Sequence, residues 1–386
     1  MLSLMMGDFM KKLTFEEISQ DIINKDKYLS LKNDRHHGLN RYIHSIRVAK
    51  YTYKISKLLH LNYINATRGA LLHDYFNEVE KNPTVENVNQ CSRKIKEVDA
   101  DCVVALGGGS IMDCAKAAAT LALTDDKIEK YHGTKEQIPK KHIPLIAIPT
   151  TSGTGSEVTC VSVLTNKETG KKLPIASEGF YPDLAIIDPA LTYSMPPYIT
   201  AVTGIDALCH SLEAFWSKNH QPICDALALY SCELIFKYLY KAFSNPSDKI
   251  ARQKMSEASL IAGLAFSIPK TTSSHACSYP LTNIYNIPHG EACGLTIDYF
   301  ARINKDVEDG RLDDFARKLG FKDTDHMADE IYELKIKMGL RVDLKDFDLD
   351  DNKIQELVKL SKHPNLDNNP VHITENTLQK MYEGFR

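Results

Sequence analysis

The sequence predicts an α/β unit followed by an all-α domain, with a helical segment in front of both. Three observations carry this reading. Residues 14–72 show apolar positions at helical spacing; from residue 98 short apolar runs end in glycine or hydroxyl clusters; and after MPPYIT at 195–200 strand patterns largely disappear. The expected domains are therefore 1–76, 77–194 and 195–386.

The elements follow in order. FEEISQDIINKDKYLSL, YIHSIRVAKYTYKISKLLHL and INATRGALLHDYF read as helices only, the second placing Ile43, Ile46, Val48, Ile55, Leu58 and Leu59 at helical spacing with Lys and Arg between them. VDADCVVALGGGS is a buried strand entering a glycine turn, and IMDCAKAAATLAL is a helix of small and apolar residues. IPLIAIPTT is a second strand ending in hydroxyls; VSVLTN, KLPIAS and LAIIDP are further strands. Helices run from there to the C-terminus.

Composition sets bounds. With 386 residues the chain has room for two or three domains. Lys and Arg number 47 against 50 Asp and Glu, a net charge of −3, which argues against a nucleic-acid binder. Nine cysteines without a CxxC pair suit reduced thiols in a cytoplasmic protein. MLSLMMGDFMKK lacks a small-residue cleavage site and no apolar run reaches membrane-spanning length, so neither a signal peptide nor a membrane partner is expected.

Two loops suit phosphate and ribose. Gly107, Gly108, Gly109 and Ser110 follow a strand and open a helix, where backbone N–H groups and the helix dipole favour an anion. Taken alone, this turn reads equally well as a tight strand-to-helix connection. Residues 149–157, PTTSGTGSE, place five hydroxyls and two glycines after the next strand, with Thr150, Thr151 and Thr154 among them. Two such loops at strand ends suggest a nucleotide crevice at the edge of a parallel sheet.

A metal site is the second signal. Asp206 and His210 in TGIDALCHSLEAF are one helical turn apart on one face, and His275 and His289 add two imidazoles. Three nitrogens and one carboxylate oxygen suit Fe(II) or Zn(II) and suit Mg or Ca poorly.

GGGSIMDCAK, PTTSGTGSEVT, GIDALCHSLEAF and IPHG together resemble the iron-containing (group III) alcohol dehydrogenases, from about residue 77 to the C-terminus. The resemblance implies a Rossmann-like nucleotide domain, a helical metal-binding domain, and hydride transfer between NAD(H) or NADP(H) and a small aldehyde or alcohol. It implies Asp206, His210, His275 and His289 as ligands of Fe(II), or of Zn(II), and Gly107–Ser110, Thr150, Thr151, Thr154 and Lys172 as cofactor contacts. It also implies a homo-oligomer. Where many relatives carry a substrate-facing histidine four residues after the third ligand, this chain has Tyr279. The stretch IPKTTSSHACSYPLTNIYNIPHG is similar to the phosphonoacetaldehyde reductase branch. Lys270, Thr271, Thr272, Ser273 and Ser274 supply one cation and four hydroxyls for a phosphonate at a helix N-terminus, or simply cap that helix.

The family's first strand, helix and second strand are not legible before residue 77, so the nucleotide domain reads as truncated and its cofactor affinity as weak. In their place, residues 14–76 resemble the helical start of an HD-type phosphohydrolase, with His44 in YIHSIRVA and His73-Asp74 in ALLHDYF as its ligand positions. That chemistry also needs a later Asp on a further helix, and none follows, which argues against phosphohydrolase activity. A decayed fusion that holds metal without turnover is the non-enzymatic alternative. The helical segment could cover the sheet surface that missing strands would leave bare, but its apolar face evolved for other partners, so a folded C-terminal helical domain and a poorly specified junction are expected.

Overall fold

The computed structural model describes residues 13–24, 82–307 and 309–386, with isolated positions between 29 and 79. His44, His73 and Asp74 lie outside the described residues. The first helix, α1 (Phe15–Ile23), opens with Thr14 and Glu17 capping one another's backbone N–H groups. It is followed by two two-residue strands, β1 (Arg35–His36) and β2 (Leu39–Asn40), paired antiparallel. The helices-only expectation for residues 14–72 is thus corrected at these four residues.

The α/β unit begins with α2 (Val85–Glu97), capped by reciprocal bonds between Thr84 and Asn87. Then come β3 (Val103–Gly107), α3 (Gly109–Leu121), β4 (Leu145–Pro149), β5 (Val161–Asn166), β6 (Lys171–Ala176) and β7 (Leu184–Ala185). β3, β4 and β7 form a parallel sheet in that order, with Gly107 in register with Pro149. β5 and β6 form a separate antiparallel pair. LAIIDP contributes only two paired residues to the sheet.

One face of this sheet is covered by the N-terminal segment. Phe15 and Ala49 are buried with Leu106, Ile146 and Ile148, and Ile46 and Tyr53 pack beside them. Among the described residues, no strand pairs with the outer edge of β3.

The helical domain contains α4 (Pro197–Trp216), α5 (Pro222–Ser244), α6 (Lys249–Phe266), α7 (Ser273–Tyr285), α8 (His289–Asn304), α9 (Arg311–Lys318), α10 (Thr324–Lys337), α11 (Asp351–Leu360) and α12 (Glu375–Phe385). From Thr200 onward α4 is buried on nearly every side, as befits the central helix of a bundle. It meets α8 at unusually short range. A Cβ on Gly290 would strike the Val202 carbonyl oxygen and lie 2.8 Å from Asp206 Cβ; one on Gly294 would lie 2.8 Å from Ile205. These two glycines let the helix that begins with His289 lie directly against the helix that carries Asp206.

Candidate active site

The glycine turn and the hydroxyl loop form one surface. Parallel pairing of β3 with β4 sets their ends side by side, and Thr150 N–H donates to Gly107 O at 3.0 Å. An added Cβ would lie 3.3 Å from Thr151 Oγ1 at Gly108 and 2.6 Å from Thr154 Cγ2 at Gly109, so only glycine admits the loop this close. The α3 N-terminus opens at this junction, where the helix dipole suits a phosphate.

A buried node beneath holds the two loops in register. Asp113 accepts from Ser156 Oγ (2.6 Å) and from Val163 N–H (2.9 Å). Lys116, fully buried, donates to Ser156 Oγ at 2.7 Å, Thr159 Oγ1 at 3.1 Å and Val161 O at 3.0 Å. Burial pulls the Lys116 ammonium down to about 8 and pushes the Asp113 carboxyl up, each partly offset by the other. Lys172, nearly buried on β6, donates to Asn82 Oδ1 at 3.1 Å. Burial lowers its pKa, while Cys293, Asp113 and Asp206 work against that shift, so it lies within electrostatic reach of the metal cluster.

The hydroxyl loop also packs on the helical domain. Gly153 abuts Thr203 of α4, Gly155 abuts Gly263 of α6, and Ser152 Oγ is hydrogen-bonded to Ser256 Oγ at 3.1 Å. The cofactor surface and the ligand-bearing helices therefore share a wall.

The ligand cluster is built from three helices. Donor atoms of Asp206 (α4), His275 (α7), His289 and Cys293 (α8) all lie within 4.8 Å of one another. Asp206 Oδ1 is 3.8 Å from His275 Nε2, and both atoms are buried with no hydrogen-bond partner. Unpaired buried polar atoms are costly and uncommon; two facing one another among further donors fit a divalent cation. His210, also expected in this set, lies beside these four residues. Its ring stacks on Phe266 (centroids 4.3 Å apart, 12° between planes) and sits 4.6 Å from the His275 ring, with Nδ1 unpartnered. It shares α4 with Asp206, one helical turn away.

Neighbouring groups fix the two histidine tautomers. Glu213, one helical turn beyond His210, is fully buried. Its Oε1 accepts from Ser274 N–H (2.7 Å), Thr272 Oγ1 (2.9 Å) and His275 N–H (3.3 Å), while Oε2 pairs with His275 Nδ1. Thr272 in turn accepts from Trp216 Nε1 at 2.7 Å. Glu213 thus caps the start of α7 from another helix and turns His275 Nε2 toward the cluster. Ser278 Oγ donates to His275 O at 2.8 Å and lies 3.3 Å from His289 Nδ1, so it is left to accept from that ring, freeing His289 Nε2.

The electrostatics follow. Burial raises the Asp206 carboxyl to about 7, with His275 opposing. Burial and the His275 charge hold His210 well below the ordinary histidine range; burial, Lys172 and His275 do the same to His289. Burial also lowers His275, but Cys293 and Glu213 outweigh it and keep this ring above that range. Tyr279 is pushed up to about 12 by burial, so its phenol stays protonated. Its ring lies 6.1 Å from His289 and 4.7 Å from His363, a residue not anticipated from sequence.

The Lys270–Ser274 stretch does not present its groups as an anion site. Lys270 Nζ bonds Ser267 O, Thr271 Oγ1 accepts from Asn365, and Ser273 Oγ bonds Asn369. The α7 backbone donors at Ser274 and His275 are taken by Glu213. A carboxylate occupies the start of this helix, which favours the capping alternative over a phosphonate cradle. Glu213 and Cys293 were legible in principle, lying three residues past His210 and four past His289.

Fold and site define a metal-dependent, NAD(P)-linked oxidoreductase acting on alcohols and aldehydes. The chain belongs to the iron-containing alcohol dehydrogenase family: residues 58–189 match that family and residues 200–385 match its C-terminal part. The matched segment starts upstream of the junction expected near residue 77 and takes in His73 and Asp74. A long-chain-alcohol dehydrogenase of Geobacillus thermodenitrificans is 35% identical over 329 residues, 82% of each chain. A sulfoacetaldehyde reductase of Bilophila wadsworthia is 36% identical over 238 residues, 62% of this chain and 61% of that protein. The crystal structure of sulfoacetaldehyde reductase from Bifidobacterium kashiwanohense, in complex with NAD+, superposes with a TM-score of 0.80 at 55% identity, covering 87% of this chain and 89% of that one. Among the described residues no helix is long and apolar enough to cross a membrane.

Proposed function

We propose that this protein is an NADH-linked reductase of a short aldehyde bearing a strong-acid anionic group, with sulfoacetaldehyde as the favoured substrate. The observation that carries the reading is the 55% identity, over most of both chains, to a reductase of that aldehyde crystallised with NAD+. Lys172, a nearly buried cation within electrostatic reach of Asp206 and His289, supports an anionic substrate. Asp206, His210, His275 and His289 hold the cation, and Gly107–Ser110, Thr150, Thr151 and Thr154 hold the nucleotide. When bound, the cation supplies Lewis acidity to the carbonyl oxygen and the nicotinamide supplies hydride. The chain's own contribution is placement. Glu213 and Ser278 fix the imidazoles, Tyr279 offers a neutral phenol beside His289, and the packed helices exclude water.

The test is NADH oxidation by the iron-loaded protein with three aldehydes. Sulfoacetaldehyde should give a kcat/KM at least about 100-fold above butanal, about 2.7 kcal/mol of discrimination. Phosphonoacetaldehyde, the substrate suggested by the IPKTTSSHACSYPLTNIYNIPHG stretch, is the second reading and should fall between them. Equal rates with all three would refute selection for an anionic group, and a preference for phosphonoacetaldehyde would replace the sulfonate.

A further inference from the structure

Access to the ligand cluster runs past a row of rings. Asp206, His210 and His275 are buried, whereas His289 keeps part of its surface exposed, as do Tyr279 and His363. The Tyr279 ring lies 6.1 Å from His289, and the His363 ring lies 4.7 Å from Tyr279. His363 precedes a short 3-10 turn, Pro364–Asn368, and its Nδ1 accepts from Asn365 N–H at 3.2 Å. A neutral imidazole that accepts at one nitrogen carries its proton on the other, so Nε2 is the donor. Burial holds this ring below the ordinary histidine range, with Asn365 opposing and the His275 charge adding to it, so His363 is within electrostatic reach of the cluster. The turn is tied to the start of α7. Asn365 Nδ2 donates to Thr271 Oγ1 at 2.8 Å, Asn368 Nδ2 donates to Thr271 O at 3.0 Å, and Asn369 Oδ1 accepts from Ser273 Oγ at 3.0 Å. Because α7 carries both His275 and Tyr279, these bonds fix His363 relative to the cluster.

We propose that His363 is a specificity-determining residue, its Nε2–H donating a hydrogen bond to the anionic group of the bound aldehyde. The inference rests on the reading of the substrate as a short anionic aldehyde. The carbonyl oxygen belongs at the cation; His363 packs on Tyr279 and not on a ligand, so it meets the other end of the substrate. A terminal sulfonate stays ionised and presents acceptor oxygens, and a hydrogen bond to an ionised acceptor is shorter and stronger than one between neutral groups. Lys172 supplies net charge, whereas the neutral imidazole supplies a directed bond. An alkyl end such as that of butanal offers this donor no acceptor and leaves it unpaired, which sharpens the discrimination.

The experiment measures NADH oxidation by the iron-loaded full chain with sulfoacetaldehyde and with butanal, in native protein and two variants. His363→Asn keeps an acceptor for Asn365 N–H but is too short to carry a donor to the Nε2 position. His363→Phe keeps a ring against Tyr279 and has no donor. In both, kcat/KM for sulfoacetaldehyde should fall at least about tenfold, chiefly through KM, while that for butanal stays within about twofold. A merely structural role would lower both substrates together and leave their ratio unchanged. A native preference for sulfoacetaldehyde that both variants keep within about twofold overturns this inference alone. Equal native rates with the two aldehydes overturn the functional reading and the inference with it. If neither variant folds, ethanesulfonate should protect His363 of the native protein from diethyl pyrocarbonate, read by peptide mass mapping; unprotected modification overturns the inference.

Discussion

Replacing Glu213 tests whether a group that touches no substrate governs the metal site. Glu213→Gln keeps an acceptor for Ser274 N–H and Thr272 Oγ1 but presents an amide N–H to His275 Nδ1. Two donors cannot pair, so either the amide turns and surrenders the α7 cap, or His275 shifts its proton to Nε2. The second outcome puts a hydrogen where a lone pair is needed. Loss of such a supporting partner typically costs about 10–100-fold in metal affinity, or about 1.4–2.7 kcal/mol. Global stability should fall less, by about 1–2 kcal/mol, because the cap is kept in part. Glu213→Ala strands the helix-end donors as well and should cost about 3–5 kcal/mol. Fe(II) or Co(II) titration read against urea unfolding separates the effects. A folded Glu213→Gln protein that binds metal within twofold of native would refute the claim that this carboxylate sets the His275 tautomer.

Five further outcomes follow from the same geometry. With Asp206 raised to about 7 by burial and the His275 ring held above the ordinary histidine range, protons compete with the cation: metal affinity should fall at least about tenfold per pH unit below 7, measured by competition with a chromophoric chelator. In the metal-free protein the same raised value contributes stability that is complete below about 4 and is lost as pH rises through 7. Lys116 has the opposite sign: its folded value of about 8 lies below the ordinary 10.5, so stability should rise with pH across that window by up to about 1.4 kcal/mol per unit, a slope that Lys116→Met should remove in urea melts. Gly109→Ala drives a methyl to 2.6 Å from Thr154 Cγ2 and should weaken NADH binding at least about tenfold, roughly 1.4 kcal/mol, while metal binding is unchanged. Chelation of the cation should abolish aldehyde reduction yet leave NADH fluorescence titration intact, since the nucleotide loops contain none of the clustered ligands.

The parts legible in the sequence are those whose function is local. β3 and β4 are apolar runs stopped by glycines and by hydroxyls, and the loops they feed were readable for that reason. The α2 helix was not, because Asn, Lys and Glu dilute its apolar stripe and its stability is anchored in a Thr84–Asn87 cap and in packing on α3. Asp206, His275 and His289 announced themselves as residue types, yet their partners did not. Glu213 sits in an ordinary helical stretch, and its role exists only because α7 starts against α4. The Thr272 and Ser273 hydroxyls misled for the converse reason: donors before a helix look like a ligand cradle until tertiary packing turns them inward, to Glu213 and Asn369. His363 reaches Tyr279 across a long sequence separation that no spacing rule encodes.

The short approach of α8 to α4 at Gly290 acts as a gauge block for the metal site. Side chains can rotate to absorb an error, but here the gap is measured backbone to backbone, between Gly290 and the carbonyl of Val202. One added methyl would wedge the helices apart and carry His289 and Cys293 away from Asp206 together, with every ligand still present. Gly290→Ala should therefore be the quietest way to silence this protein: folded, its donors intact, and unable to grip a cation. A position with no side chain would then rank with the ligands in any scan for lost activity, although it contributes no chemistry of its own.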